Sequence, residues 1–481
     1  MELEPVIGLE VHIQLNTISK LFCGCSTKFG ERPNTQSCPV CLGLPGALPV
    51  LNEEALRKAI LAGTSINCNV LKYSKFDRKN YFYPDLPKAY QISQYDMPIC
   101  SDGFINVKIN NASKRIGITR LHLEEDAGKL IHSEGYSDNS SYIDFNRSGI
   151  PLIEIVSEPE ITSSEEAYIF LQNIKIIMKY LEVSDCNMEE GSLRCDVNIS
   201  LKRKGEKNPG KKVEIKNLNS FKAVRQSLDF EIDRQNEIFL SKGERVIQET
   251  RLWDSQLHET ISMRSKEDAH DYRFFPDPDL PPIILEDKYI DDIQASLPEL
   301  PTQKLERFIS QYHLPEFDAD VLTSTRQLAD YYELVVKSNV NFKKASNWIM
   351  SEILAFIDNP EEIFSFIVTP EKLAKLLQLI ENNTISGKIA KNIFNEMIET
   401  GECAEKIVEE NGLTQVSDVE AIEVMVDRVL NNNPGSINDY KSGKKNALKF
   451  LIGQIMKDSK GMANPQIVNE ILLKKLNLRE I

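Results

Sequence analysis

Val6-Ile7-Gly8-Leu9-Glu10-Val11-His12 reads as a β-strand, and it brings a carboxylate and an imidazole two positions apart. Side chains i and i+2 leave the same face of a strand, so Glu10 and His12 are expected to point together into a cleft while Leu9 and Val11 face a core. The pair suits half of a metal or phosphate site, or equally the polar face of an ordinary half-buried strand. The residues further along the chain bear on which reading holds.

Cys23, Cys25, Cys38 and Cys41 follow in the spacing C-x-C-x12-C-x2-C. Two tight thiolate pairs can each supply two corners of a tetrahedron, which predicts a closed zinc knuckle. The competing reading is two pairs of small buried residues. A helix is expected from Asn52 to Ile66, capped by Asn52 with Glu53 and Glu54 in its first turn. Residues 72–99 mix Lys, Arg, Tyr, Phe and Pro and look too broken for regular structure. Lys75, Arg78, Lys79 and Lys88 there suit phosphates walled by aromatics and suit a solvated loop equally well.

Two alternating strands, 104–109 and 115–121, are joined at Asn110-Asn111 as a hairpin, and the second runs into His122, Glu124, Glu125 and Asp126. Such an acidic run is costly unless solvated or neutralised by a cation. Strands are expected at 142–146, 152–157, 193–201, 212–216, 246–253, 260–264 and 272–275. Helices are expected from Ser163, with capping-box spacing to Glu166, and over 219–240. Arg194, Asp196 and Asn198 share a strand face, and Glu189-Glu190 precede them. From about 295 the periodicity is helical, with breaks at Gly401 and Gly412.

The chain has 481 residues, 41% apolar and 27% charged, which predicts several soluble domains. No apolar run reaches the ~18 residues of a membrane helix. Glu2 and Glu4 stand where a secretory or transit leader would be basic, so a cytoplasmic location is expected. Nine Cys, four of them clustered, argue for reduced thiols over a disulfide framework. The net charge of −15 excludes a protein that coats nucleic acid nonspecifically. One local exception exists. Between Lys441 and Lys475 eight Lys oppose only Asp458 and Glu470, a net of +6. The single G-x4-G-K match, Gly205 to Lys211, lacks the following Ser or Thr of a phosphate loop, and neither a G-x-S-x-G elbow nor a Ser-Ser-Lys amidase signature is present.

VIGLEVH, KFDRKNYFYPDLPKAYQISQYD, GITRLHLEEDAGK, GIPLIEIVSEP, MEEGSLRCDVNIS, EIKNLNSF and KFLIGQIMKDSKGMANP together resemble the B-subunit family of the aspartyl/glutamyl-tRNA amidotransferases. The resemblance runs over essentially the whole chain and is nearest the bacterial or organellar form, because the archaeal relative's inserted domain has no room after 275–284. It implies an α+β protein. A large mixed, mainly antiparallel β cradle with flanking helices and the zinc knuckle would span 1–292, an all-α domain 293–405 and a small helical tRNA-binding tail 406–481.

The implied reaction is ATP-dependent: the side-chain carboxylate of Glu on tRNA(Gln), or of Asp on tRNA(Asn), is phosphorylated, and ammonia then displaces the phosphate. A carboxylate is a poor electrophile, and phosphoryl transfer is catalysed mainly by positioning and charge neutralisation. The resemblance therefore implies Mg²⁺, or Mn²⁺ given an imidazole ligand, at Glu10, His12, Glu124, Glu125 and Glu190. It also implies ATP phosphates near Arg78, Lys79 and Lys88, with Glu10, His12, Lys79 and Glu125 as catalytic residues. Lys444, Lys445, Lys457 and Lys460 are the expected tRNA contacts. Since the chain carries no amidase signature, ammonia must come from an amidase-type glutaminase A subunit, with a small C subunit completing a heterotrimer and residues 72–99 walling the passage. The alternative is a non-catalytic tRNA-binding scaffold within such a complex.

Overall fold

The computed structural model describes residues 3–109, 112–132, 140–206, 208–241, 245–265, 272–413, 419–459 and 462–478. It divides into two compact units, Met1–Leu300 and Pro301–Ile481.

The first unit is built on one nine-stranded sheet. Its strands, in chain order, are β1 (Leu3–Gln14), β2 (Asn69–Val70), β3 (Cys100–Ile109), β4 (Ala112–Glu125), β5 (Pro151–Ser157), β6 (Leu193–Arg203), β7 (Val213–Lys216), β8 (Glu249–Asp254) and β9 (Glu259–Ser265). The spatial order is β9-β8-β7-β6-β1-β5-β4-β3-β2. Neighbours are antiparallel except β7 and β8, which run parallel. The opening strand therefore lies at the middle of the sheet, between β5 and β6, so every side chain it points outward is flanked on both sides.

Strict alternation makes one face apolar. Ile7, Leu9, Val11 and Ile13 on β1, and Leu193, Cys195, Val197 and Ile199 on β6, are buried in a single core. Three helices pack residues into that core: α1 (Glu53–Ser65), α2 (Ser164–Tyr180) and α3 (Phe221–Leu240). Phe170, Leu171, Ile174 and Met178 form the buried stripe of α2, at about 1.5–3 kcal/mol per side chain removed from water.

The helix starts follow their caps. Asn52 accepts from the amides of Glu54 (3.0 Å) and Ala55 (3.2 Å). Ser163 accepts from the Glu166 amide at 3.1 Å, but the Glu166 carboxylate returns to the Thr162 amide at 2.7 Å, one residue before the cap. The cap of α3 is Ser220, which accepts from the Ala223 amide at 3.0 Å, so the helix begins two residues later than its apolar pattern predicts.

Residues 72–99 are more ordered than their composition predicts, with short strands at Tyr73–Ser74, Asp77–Asn80 and Tyr90–Ser93. The second pairs with both the third and Phe275–Pro276. Buried Asp77 anchors this ribbon by accepting from the Tyr95 amide and from Lys75. Strand 272–275 shrinks accordingly to Phe275–Pro276, where proline at an edge ends the pairing. Asn110 and Asn111 lie outside the described residues.

The second unit is helical among its described residues. One apolar cluster gathers buried residues between Phe308 and Val408, a second those between Ile422 and Leu476. Gly401 and Gly412 both end helices with positive φ, +73° and +59°, a conformation that a Cβ would strain. No helix among the described residues is long and apolar enough to cross a membrane.

Candidate active-site face

The polar face of the sheet is assembled by register. His12 on β1 stands opposite Glu154 on β5 and opposite Arg194 on β6, and Glu154 in turn stands opposite His122 on β4. One row across four strands thus reads Arg194, His12, Glu154, His122. In the next row Glu10 stands opposite Asp196.

His12 Nε2 lies 3.2 Å from Glu154 Oε2 and 3.7 Å from Glu124 Oε1, and His122 Nε2 lies 3.4 Å from Glu124 and 3.5 Å from Glu154. Ser93 donates to Glu124 at 3.0 Å. Glu124, Glu154 and His122 are buried. Burial alone would push both carboxyls up. The imidazoles outweigh it, joined at Glu154 by Lys79, and hold Glu154 well below the carboxylate range and Glu124 also lowered. His12 is the mirror case, with burial opposing protonation and Glu154 and Glu124 raising it above the usual imidazole value.

Ligand atoms of His12, Glu124 and Glu154 lie within 4.8 Å of one another, as do those of Glu10, Asp196 and Glu214. The first set, one imidazole and two carboxylates, fits Mn²⁺ or a similar borderline cation. The second, all oxygen, fits Mg²⁺. Lys216 neutralises the second set, with its Nζ 2.6 Å from Asp196 and 3.2 Å from Glu214, and Asn198 donates to Glu10 at 2.8 Å. Burial works against the Lys216 charge, but those two carboxylates raise its pKa well above the lysine value.

The structure brings His12 and Glu124 together but places Glu10 in the neighbouring set. Glu125 is not brought to either. It follows Glu124 on β4, so it leaves the opposite face, where it pairs with Lys88 and accepts from the Ile92 amide at 3.0 Å. Glu190 sits exposed in a turn beside Gln14 and Asp185. Of the basic residues, Arg78 is engaged by Asp277 and Asp279, both at 2.8 Å, and lies over the Tyr90 ring. Lys88 is engaged by Glu125, which leaves Lys79, whose Nζ lies 4.9 Å from the centre of the Tyr272 ring.

Sequence reasoning missed Glu154 and Glu214. The signal was available: each is a lone carboxylate inside an apolar strand, PLIEIVS and VEIK, where burial demands a partner.

The four cysteines converge as their spacing predicts, with all Sγ atoms within 4.8 Å. Cys38 and Cys41 Sγ are 3.9 Å apart, close to the ~3.8 Å edge of a tetrahedron with ~2.3 Å zinc–sulfur bonds, so the donor set fits zinc. Cys23, against the effect of burial and aided by the Cys38 amide and Lys20, pulls the Cys41 thiol down to about 5, while burial pushes Cys25 up to about 11. Lys20 is fully buried. Its Nζ lies 3.8 Å from Cys41 Sγ and donates to the carbonyls of Gln36 (2.6 Å) and Phe145 (3.2 Å). A cavity of about 200 Å³ is lined both by Cys23 and Cys41 and by the Lys88–Glu125 pair.

Residues 5–291 match the family described as the GatB/GatE catalytic domain, and residues 330–476 match the one described as the GatB domain. Among similar proteins, the B subunit of the aspartyl/glutamyl-tRNA(Asn/Gln) amidotransferase of Caldicellulosiruptor bescii is 54% identical over 480 residues, 99% of either chain. That of Caldicellulosiruptor saccharolyticus is 55% identical over 480 residues, and that of Carboxydothermus hydrogenoformans 53% over 477, again 99% of either chain. The chain belongs to this family of amidotransferase B subunits.

Every residue of the two carboxylate sets, and the cysteine cluster, falls within the span of the family's catalytic domain. The span of the second domain includes the lysines expected to meet tRNA. Of these, Lys444 is exposed and bonded to Asp439 at 2.8 Å, and Lys457 is exposed in the last turn of the helix Lys445–Asp458. Lys460 and the Lys445 side chain lie outside the described residues.

Proposed function

We propose that this chain is the part of an aspartyl/glutamyl-tRNA(Asn/Gln) amidotransferase complex that activates the side-chain carboxylate of misacylated Glu-tRNA(Gln) or Asp-tRNA(Asn) with ATP and turns it into the amide. The observation that carries this reading is the pair of carboxylate sets, His12–Glu124–Glu154 and Glu10–Asp196–Glu214, side by side on one sheet face.

Divalent cations held by these sets would neutralise charge on the phosphates of ATP. The chain's own residues do the rest. His122 and Ser93 fix the two central carboxylates in position. Lys79, which no carboxylate engages at close range among the described residues, is the cation of the 72–99 ribbon that suits a phosphate oxygen. Phosphoryl transfer to a carboxylate needs little more than this positioning. Glu125 and Glu190 lie away from both sets and are not assigned to them.

Ammonia in neutral water is mostly ammonium, so it must be made close by and kept from solvent. We assign its supply to an amidase-type glutaminase partner, with a small third subunit, and the 72–99 ribbon to the wall of its passage. Zinc at Cys23, Cys25, Cys38 and Cys41 would be closed to substrate, and its work is to fold the loop between β1 and α1. The tail from about 406 is assigned to tRNA.

The test measures ATP cleavage and amide formation by the assembled complex on Glu-tRNA(Gln) and on deacylated tRNA, with glutamine or ammonium. ATP cleavage that requires the misacylated tRNA supports the reading. Amide formation without ATP cleavage overturns it.

A further inference from the structure

We infer that Arg194 is the residue that recognises the substrate's carboxylate: its guanidinium takes the free side-chain carboxylate of the esterified Glu or Asp and holds it beside His12 and Glu154. This rests on the function proposed above and adds to it the element that tells substrate from product.

An incoming carboxylate meets a hostile surface. Glu10, Glu124, Asp126, Glu154, Asp196 and Glu214 all belong to this face. The divalent cations and Lys79 are assigned to the phosphates of ATP, so the substrate's carboxylate needs a further cation that is not already consumed. Lys216 is consumed by Asp196 and Glu214. Arg147 spends its Nε and Nη2 on the carbonyls of Ala127 (3.0 Å) and Gly128 (2.6 Å).

Arg194 differs. It stands directly across from His12 in the β1–β6 register, one strand away from the metal-fitting set. Its ion-pair partner among the described residues is Asp126, whose Oδ1 lies 3.0 Å from Nη2, and 37% of the side chain stays open to the cleft. Its Nε is enclosed and out of a ligand's reach, so the donors a carboxylate can meet are those of the two Nη groups. Asp126 is in turn held by Gln14 Nε2 at 2.7 Å, so the contact Arg194 makes is a fixed one that orients the guanidinium and leaves donors unused. A planar guanidinium with spare donors is suited to bidentate capture of a carboxylate.

The chemistry also requires a charge reader. Substrate and product differ only by carboxylate against amide, and the tRNA body is identical in both. A site that spends a half-buried cation on the substrate leaves part of its hydrogen-bonding unmatched when the product amide faces it, which favours product release.

The experiment uses the assembled complex without ATP and compares its affinity for Glu-tRNA(Gln), Gln-tRNA(Gln) and deacylated tRNA(Gln). The wild type should prefer Glu-tRNA(Gln). Arg194→Gln should erase that preference, weakening Glu-tRNA(Gln) by about 10- to 100-fold while the other two tRNAs bind as before. Arg194→Lys should keep part of the preference, because an ammonium holds the charge but not the fork. Asp126→Asn/Arg194→Gln, which leaves no buried carboxylate uncompensated, should behave as Arg194→Gln. A preference that survives in the folded Arg194→Gln complex, no preference in the wild type, or equal weakening of all three tRNAs overturns the inference. These outcomes are separate from a wild-type complex that forms no amide, which would overturn the proposed function itself.

Discussion

Four neighbouring basic groups act on Glu154: both imidazoles, Lys79 and Arg120. Glu154→Gln keeps its shape and removes its charge. Amide formation should fall by about 10²–10³-fold, as for loss of one preorganised electrostatic contact, with tRNA affinity near wild type. Steady-state amidation beside a binding isotherm checks it, and unchanged turnover would remove Glu154 from the site. Among single residues, the period of two in β1 was legible and placed Glu10 and His12 on one face. The same period, applied to β4, separates Glu125 from Glu124. What the sequence could not supply is register: His12 and Glu154 lie far apart in the chain and meet only because β5 returns antiparallel beside β1.

Two elements outside the sheet respond to chemistry in opposite ways. The knuckle is expected to depend on a zinc ion. Apparent zinc binding energies of ~10–16 kcal/mol in small modules exceed what loop 18–50 gains by burying Leu21 and Phe22, about 1.5–3 kcal/mol each, while Ile18, Phe29, Leu44, Leu48 and Val50 are all exposed. Elemental analysis should find about one zinc per chain, and chelation should raise amide exchange through 18–50 while leaving α2 protected. A protein isolated without chelator that contains no zinc would be the opposing result.

The helices Glu316–Leu322 and Phe342–Trp348 depend on pH instead. Asp318 pairs with Lys343 and accepts from Ser346 at 2.7 Å. Burial opposes its charge, but these partners hold its carboxyl below the usual aspartate value. The unfolded chain therefore takes up the proton first as pH falls. The contribution is full above the ordinary pKa of about 4 and disappears as pH drops through the lower folded value. The melting-temperature gap between wild type and Asp318→Asn should be largest near neutrality and close below about pH 4, and a gap that widens in acid would be the contrary result. Caps at Asn52, Ser163 and Gly401 were readable from single residues. The ribbon at 77–80 was not, because its order comes from pairing with a distant segment at 275–276.

For the molecule as a whole, affinity for tRNA has to overcome a net charge of −15, so the basic run at 441–475 is where it is expected to arise. Not all of that charge is free: Lys475 is paired with Asp427 at 2.6 Å and Glu423 at 3.8 Å, and the exposed Lys444 would have to exchange Asp439, 2.8 Å away, for a phosphate. Replacing Lys444 and Lys457 by Ala should flatten the dependence of log K on log salt by about 1.5, at ~0.7–0.9 per phosphate contact. An unchanged slope would move the contact surface elsewhere. Composition marked this region and the helical periodicity of the second half, but charge alone did not separate lysines facing solvent from those already engaged by carboxylates.

If the sheet face around His12 and Glu154 is where the carboxylate of misacylated tRNA meets ATP, the chemical step must fail when that face is altered and the partner's step must not. Single-turnover ATP cleavage by the assembled complex separates the two, with Glu-tRNA(Gln) and saturating ammonium in place of glutamine, so that the glutaminase reaction is bypassed. The wild type should cleave ATP rapidly, in step with amide formed. His12→Ala and Glu154→Gln should each lose that cleavage while glutaminase activity of the same complexes persists. Cleavage at the wild-type rate in both variants would place the phosphorylation site somewhere other than this face.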